Sequence, residues 1–178
     1  MQIIAHFKTI TRHKILVARH CFRCGLYRQG LTHDLSKYGF YEFWRGAKYY
    51  QGFCSPNVKE RELFGYSAAW LHHKGRNRHH FEYWSDFNQQ QQAYVPVEMP
   101  QKYLLEMFCD RVAASKVYCG ADYQDQAPWE YYCKESKHMQ MHAHTEQQLA
   151  LLLKMLADEG EEAVFNYIRR LRKGGRDY

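Results

Sequence analysis

Apolar residues in this chain recur at three- and four-residue steps along nearly its whole length, and no segment sustains apolar/polar alternation with a period of two. A helix repeats its face about every 3.6 residues and a strand every two, so the pattern predicts an all-α protein. Length then limits the architecture. A chain of 178 residues, 46% of them hydrophobic, can bury one sizeable core but not two independent ones. A single domain over 1–178, built as a bundle of six or seven helices, is the most economical arrangement.

Glycine and proline punctuate that pattern. The first helix is expected from Gln2 to Tyr27, with Ile3, Phe7, Ile10, Leu16 or Val17, Cys21 and Cys24 on its buried side, weakened and ended by Gly25 and Gly30. His6, His13 and His20 stand seven apart, close to two helical turns, and therefore share a face. A short segment after Gly30 leads to a helix over 40–50, and Asn57 with Glu60 reads as an N-cap signal for a helix from Val58 to His73. Gln89 to Gln92 and Pro96 mark a surface connection of about ten residues. Pro100 opens a helix that Gly120 ends and that carries Glu106 and Asp110 on one face. Pro128 opens another to about Gln140, Thr145 with Gln148 resembles a capping box ahead of Leu149 to Leu156, and a last helix covers Glu161 to Arg172.

Composition excludes several classes. No apolar run approaches the roughly 20 residues that span a bilayer, and the N-terminus has no signal-peptide core, so a cytoplasmic protein with no membrane partner is expected. Without a secretory signal the six cysteines read as reduced thiols, and Cys21-x-x-Cys24, lacking a second pair, as buried small residues. The net charge of +6, with a basic C-terminal end over 165–178, favours anionic partners, either a phosphorylated substrate or nucleic acid.

The chemistry concentrates in histidines and acids. His33 and Asp34 are adjacent and suit one transition-metal ion, yet neighbours on an ordinary helix diverge by about 100°. Both can reach one ion only where the backbone bends, as at a helix end. His13 on the first helix and Asp110 on a later one could complete a shell from facing elements. His72-His73 and His79-His80 follow in order. They exceed what one ion can hold, so either a second metal is present or some of them contact substrate.

The order His13, His33-Asp34, Asp110 resembles the HD-domain superfamily of all-α, metal-dependent phosphohydrolases, some branches of which add histidines and bind a second metal. His33-Asp34-Leu35-Ser36-Lys37 is similar to the His-Asp-x-x-Lys form of its cyclic-dinucleotide phosphodiesterase branch, and His79-His80-Phe81-Glu82 to that branch's His-His-x-Glu segment. A family of small bacterial and phage proteins described only as a domain of unknown function is more closely similar. Its pattern is met by His13-Lys14, by His33 to Lys37, and by Ala69 to His73 with Asn77 and His79-His80. Glu98-Met99-Pro100 and Glu106-Met107 with Asp110 complete it.

These resemblances imply an HD-like fold and one or two divalent transition-metal ions (Fe, Mn, Zn, Co or Ni) held among His13, His33, Asp34, His73, His79, His80 and Asp110. They further imply hydrolysis of a phosphorylated small molecule, a nucleotide among the candidates, by metal-activated water. Asp34, Lys37 and Glu82 would be catalytic, with Lys37 stabilising charge on phosphoryl oxygens. Lys37, His72, Arg76, Asn77 and Arg78 would bind substrate. Glu106 is a further candidate, as a hydrogen-bond partner of a ligand or an acid-base group. Two other readings stay open: di-iron oxygenase-type chemistry on the same ligands, and a non-enzymatic nucleic-acid or protein-binding module tied together by a structural metal.

Overall fold

The computed structural model describes residues 1–174, and within them the secondary structure is mostly helical. The eight α-helices are α1 (Ile3–Arg23), α2 (Tyr27–Thr32), α3 (Phe40–Tyr49), α4 (Pro56–Phe64), α5 (Ala68–Lys74), α6 (Gln101–Cys119), α7 (Ala127–Glu135) and α8 (Ala143–Gly174). Two short strands, β1 (Ser85–Asn88) and β2 (Ala93–Pro96), pair antiparallel with Phe87 opposite Tyr94. No described helix is long and apolar enough to cross a membrane. The six cysteines are free.

Several boundaries differ from expectation for local reasons. The first helix stops at Arg23 because Gly25 takes a positive φ of 73°. The amides of Gly25 and Leu26 then turn back onto the carbonyls of Phe22 and Cys21, closing the helix with a Schellman motif. Ile3 and Phe7, expected on the buried side, are exposed, and that side is instead His6, Ile10, His13, Val17, His20 and Cys21. The helix expected over 58–73 is two helices, broken at Gly65 with φ 77°. Ser55, not Asn57, caps the first of them. Glu60 works elsewhere: its buried carboxylate accepts from Ser67 Oγ and Ala69 N at the start of α5 and pairs with Arg45 of α3. One acid thereby locks α3, α4 and α5 together, and α5 is the helix that delivers His73. The Gln-rich connection is the turn of the β1–β2 hairpin. Thr145 makes no capping box, since α8 already begins at Ala143 and the Thr145 hydroxyl accepts from Met99 N.

The main core lies between α1, α6 and α8. Val17 and Cys21 of α1 and Leu105, Phe108 and Val112 of α6 pack with Leu149, Leu152, Leu153, Leu156, Phe165 and Ile168 of α8, all with almost no exposure. Helix α8 bends at Gly160, φ 82° and ψ 173°, where the sequence predicts a break before Glu161. Arg172 from the expected basic end donates to Cys24 O, while Gly175 and Arg176 of that end lie outside the described residues. Because α6 turns Leu105, Phe108 and Val112 toward α8, its opposite face, carrying Glu106 and Asp110, looks toward His13 of α1 and the segment after α2.

Helix α3 reaches α1 through Gly46. A Cβ at this position would lie 2.4 Å from His6 Nε2 and 2.5 Å from His6 Cε1, and the His6 ring is itself flanked by Phe43 and Tyr50. Glycine to alanine in an open helix stabilises by about 0.5–1 kcal/mol, but overpacking a buried contact costs about 1–3 kcal/mol. The clash should win. Gly46→Ala is expected to lower the urea midpoint, and a midpoint unchanged or raised would mean the α1–α3 contact yields freely.

Candidate metal centre

Asp34 is the hinge of the site. It adopts φ 53° and ψ 26°, left-handed backbone that asparagine and aspartate tolerate better than other side-chain-bearing residues. The reversal between the end of α2 and the 3₁₀ turn Leu35–Tyr38 lets the adjacent His33 and Asp34 face one point. Lys14 holds this turn from α1, its Nζ donating at 2.8 Å to both Leu31 O and His33 O.

Two quartets of donors meet at this carboxylate. One comprises His13, His33, Asp34 and Asp110, the other Asp34, His73, His79 and His80, with the ligand atoms within each lying no more than 4.8 Å apart. Asp34 Oδ2 lies 3.3 Å from His33 Nε2 and 3.7 Å from His13 Nε2. Asp34 Oδ1 lies 3.2 Å from His73 Nε2 and 3.4 Å from His79 Nε2. Asp110 Oδ1 closes the first group at 2.9 Å from His13 Nε2 and 3.4 Å from His33 Nε2.

Asp34 Oδ1 and the Nε2 atoms of His33, His73, His79 and His80 are buried without a hydrogen-bond partner, whereas Asp34 Oδ2 has Lys37 Nζ and His13 Nε2 has Asp110 Oδ1 within ion-pairing distance. Each such group left unsatisfied costs about 1–3 kcal/mol, more when charged, so five of them converging on one carboxylate fit bound cations far better than a finished core. The other ring nitrogens show the same division of labour. His33 Nδ1 donates to Glu106 Oε1 at 2.9 Å, His73 Nδ1 to Glu42 Oε2 at 2.7 Å, and His79 Nδ1 lies 3.3 Å from Glu106 Oε1. A carboxylate only accepts, so the proton sits on Nδ1 and the Nε2 lone pair faces the cluster, as in carboxylate–histidine–metal arrangements.

The electrostatics agree. Burial opposes the charged form of Asp34, yet His33, Lys37 and His73 hold its carboxyl well below the usual carboxylate range. Asp110 is likewise held well below that range, with His13 and His33 outweighing burial. Burial disfavours the His33 imidazolium, but Asp34, Asp110 and Glu106 raise its pKa well above the ordinary value. Burial, with His79 and His73 nearby, pushes His80 well below it. The cluster thus attracts positive charge, and a divalent cation would compete for it with protons. These buried groups could hold a metal ion.

Other residues singled out in the sequence fall into distinct places. Lys37 Nζ lies 2.5 Å from Asp34 Oδ2. Its side chain is 32% exposed against 2% for Asp34, and with Asp110 at 17% it marks the side open to solvent. Burial would lower the Lys37 pKa, but Asp34 and Asp110 raise it, so the ammonium stays charged. His72 points away from both quartets to Glu42 Oε1 at 2.7 Å and lies against Tyr41. Asn77 donates to His73 O and Ser36 Oγ and braces the end of α5. Arg76, just past the end of α5, donates back to His72 O, and Arg78 donates to Tyr103 OH, so neither guanidinium joins the cluster. Glu82 stands outside both quartets, with one buried oxygen lacking a hydrogen bond. His6 and His20, sharing the buried face of α1 with His13, go to the Gly46 contact and to Lys116.

Sequence reasoning missed Glu42, which anchors His73 and His72 with separate oxygens and accepts from Ser36 Oγ at 3.0 Å. The available signal was a lone acid inside the aromatic run Phe40-Tyr41-Glu42-Phe43-Trp44. No curated protein and no solved structure matches the chain. One family model does match, over residues 2–155, a span that holds both quartets and their carboxylate supports. The chain with this centre belongs to the family of unknown function DUF5662.

Proposed function

We propose that the protein is a metal-dependent phosphohydrolase of the HD type, binding two divalent transition-metal ions (Fe, Mn, Zn, Co or Ni) and acting on a phosphorylated substrate such as a nucleotide. The observation that carries this reading is the pair of buried donor quartets joined by Asp34, with most of their facing atoms unsatisfied. His13, His33, Asp34 and Asp110 would hold one ion, and Asp34, His73, His79 and His80 the other. Bound there, such ions supply Lewis acidity toward phosphoryl oxygens and lower the pKa of water.

The chain's own groups supply the rest. Glu106 and Glu42 keep the imidazoles oriented. The near-complete burial of His33, Asp34, His73 and His79 strengthens every charge interaction at the centre. Lys37, charged and reachable from solvent, places a fixed cation where phosphoryl oxygens would approach. The HD assignment rests on the ligand order together with the corner that the left-handed backbone of Asp34 makes after His33.

The same donors suit a di-iron oxygenase, so the test separates the two chemistries. Protein purified without chelator should contain close to two transition-metal ions per chain and release phosphate or nucleoside from a panel of nucleotide esters, with activity abolished by chelation. Oxygen uptake by the iron-loaded protein without hydrolysis under any of the five metals would replace this reading with the oxidative one. Steeply salt-dependent oligonucleotide binding with no turnover would replace it with a binding module.

A further inference from the structure

The first acidic residue of the chain is Asp34. Residues 1–33 hold six of the 25 lysines and arginines, namely Lys8, Arg12, Lys14, Arg19, Arg23 and Arg28, and none of the 19 acids. The other 19 basic residues balance those acids, so the whole net charge of +6 lies in this stretch, which forms α1 and α2. Arg23 pairs with Glu161 and Glu162, and Lys14 is engaged by Leu31 O and His33 O. Lys8, Arg12, Arg19 and Arg28 are exposed and make no ion pair among the described residues.

The same stretch carries a second apolar face. Ile4, Phe7, Thr11, Ile15, Ala18 and Phe22 recur along α1 at steps of three and four, forming a seam separate from the buried side of His6, Ile10, His13 and Val17. Phe7 and Ile15 are each 48% exposed, Leu31 64% and Leu35 53%. These four, with Thr11 and Tyr38, line one open groove of about 460 Å³. Its two walls are tied together: Tyr38 OH donates to Thr11 Oγ1 at 3.1 Å, and the Tyr38 ring stands 6.0 Å from that of Phe7. Lys8, Arg12 and Arg19 each follow a seam residue by one position, about 100° round the helix, and Arg28 precedes Leu31 by one turn. Unpaired cations therefore border exposed aliphatic and aromatic side chains along α1 and α2.

We propose that this face is a docking surface for an anionic phospholipid bilayer. Phe7, Ile15, Leu31 and Leu35 would enter the headgroup layer, and Lys8, Arg12, Arg19 and Arg28 would meet lipid phosphates. A helix that lies on a bilayer needs no membrane-spanning length. A second copy of the chain fits worse, because pairing α1 with α1 sets cations against cations with no acid between them. Nucleic acid would meet the charges but leave the aliphatic side chains unpartnered, since bases stack on aromatic rings. Leu35 follows Asp34 directly, so the docked face adjoins the metal centre. The surface stands independently of the phosphohydrolase reading.

Co-sedimentation of the full chain with vesicles of phosphatidylcholine, alone or with about a third phosphatidylglycerol, tests it. Binding to the anionic vesicles is expected to be at least about tenfold tighter than to the neutral ones, and to weaken as added salt shortens the Debye length. Arg12→Gln combined with Arg19→Gln removes two cations, each worth about fivefold near an anionic surface, and should weaken binding by more than about tenfold. Ile15→Ser combined with Leu31→Ser should weaken it by about tenfold or more at unchanged charge. All four positions are exposed, so circular dichroism and metal content should match the parent in both variants. Equal binding to the two vesicles, or binding to neither, overturns the surface. Binding that the serine pair leaves unchanged also overturns it, because charge alone would then hold the protein. A dimer in sedimentation equilibrium that the serine pair dissociates, without vesicle binding, assigns the face to a second copy. Salt-dependent oligonucleotide binding that the glutamine pair abolishes, without vesicle binding, assigns it to nucleic acid, and either result overturns the lipid surface.

Discussion

Asp34→Ala is expected to reduce bound transition metal to less than about a tenth of the parent's in elemental analysis, and to do so at both positions. Asp34 is the one residue common to the two quartets, each of its oxygens facing different imidazoles. Its loss leaves five histidines converging without the central negative charge that attracts a cation. The substitution also places alanine at φ 53°, which costs on the order of 1–2 kcal/mol. Asp34→Asn separates these effects, because asparagine accepts the left-handed backbone and keeps the shape while losing the charge. It should fold with near-parent stability and still lose most of the metal. Parent-like metal in both variants after add-back would remove Asp34 from the centre.

Lys37 carries the second large effect. Lys37→Met is expected to retain both metal ions and to lose roughly 10²–10³-fold in turnover, the usual consequence of removing one group that stabilises transition-state charge. Lys37 contributes no lone pair to either quartet, and its ammonium, kept protonated by Asp34 and Asp110, stands on the solvent-accessible side. Methionine preserves most of its length and packing. A parallel fall in metal content and turnover would make Lys37 a structural brace of Asp34. Turnover unchanged with metal retained would place the phosphoryl group elsewhere.

The features that proved legible in the sequence are those with local causes. Helical periodicity identified the class, and Gly25, Gly120 and Gly160 ended or bent helices because they can take positive φ. The need for a bend at His33-Asp34 followed from helix geometry alone, and Asp34 meets it with its left-handed backbone. The failures have local causes too. Glu60 three positions after Asn57 mimics a capping box, but its carboxylate is drawn to the amides of the next helix. The Gln-rich stretch hides a hairpin too short for period-two alternation to register.

Helix class, helix ends, the bend at Asp34 and the supply of imidazole and carboxylate donors were determined by the sequence itself, because each depends on residues within a few positions of one another. Only the tertiary structure decided that Asp34 serves two quartets, that His73 enters while His72 turns out, and that Glu42 and Glu106 stand behind the imidazoles. It alone set Arg76 and Arg78 aside from the centre. Those outcomes depend on how α1, α3, α5 and α6 pack, and side chains far apart in the chain leave no mark on one another's local sequence.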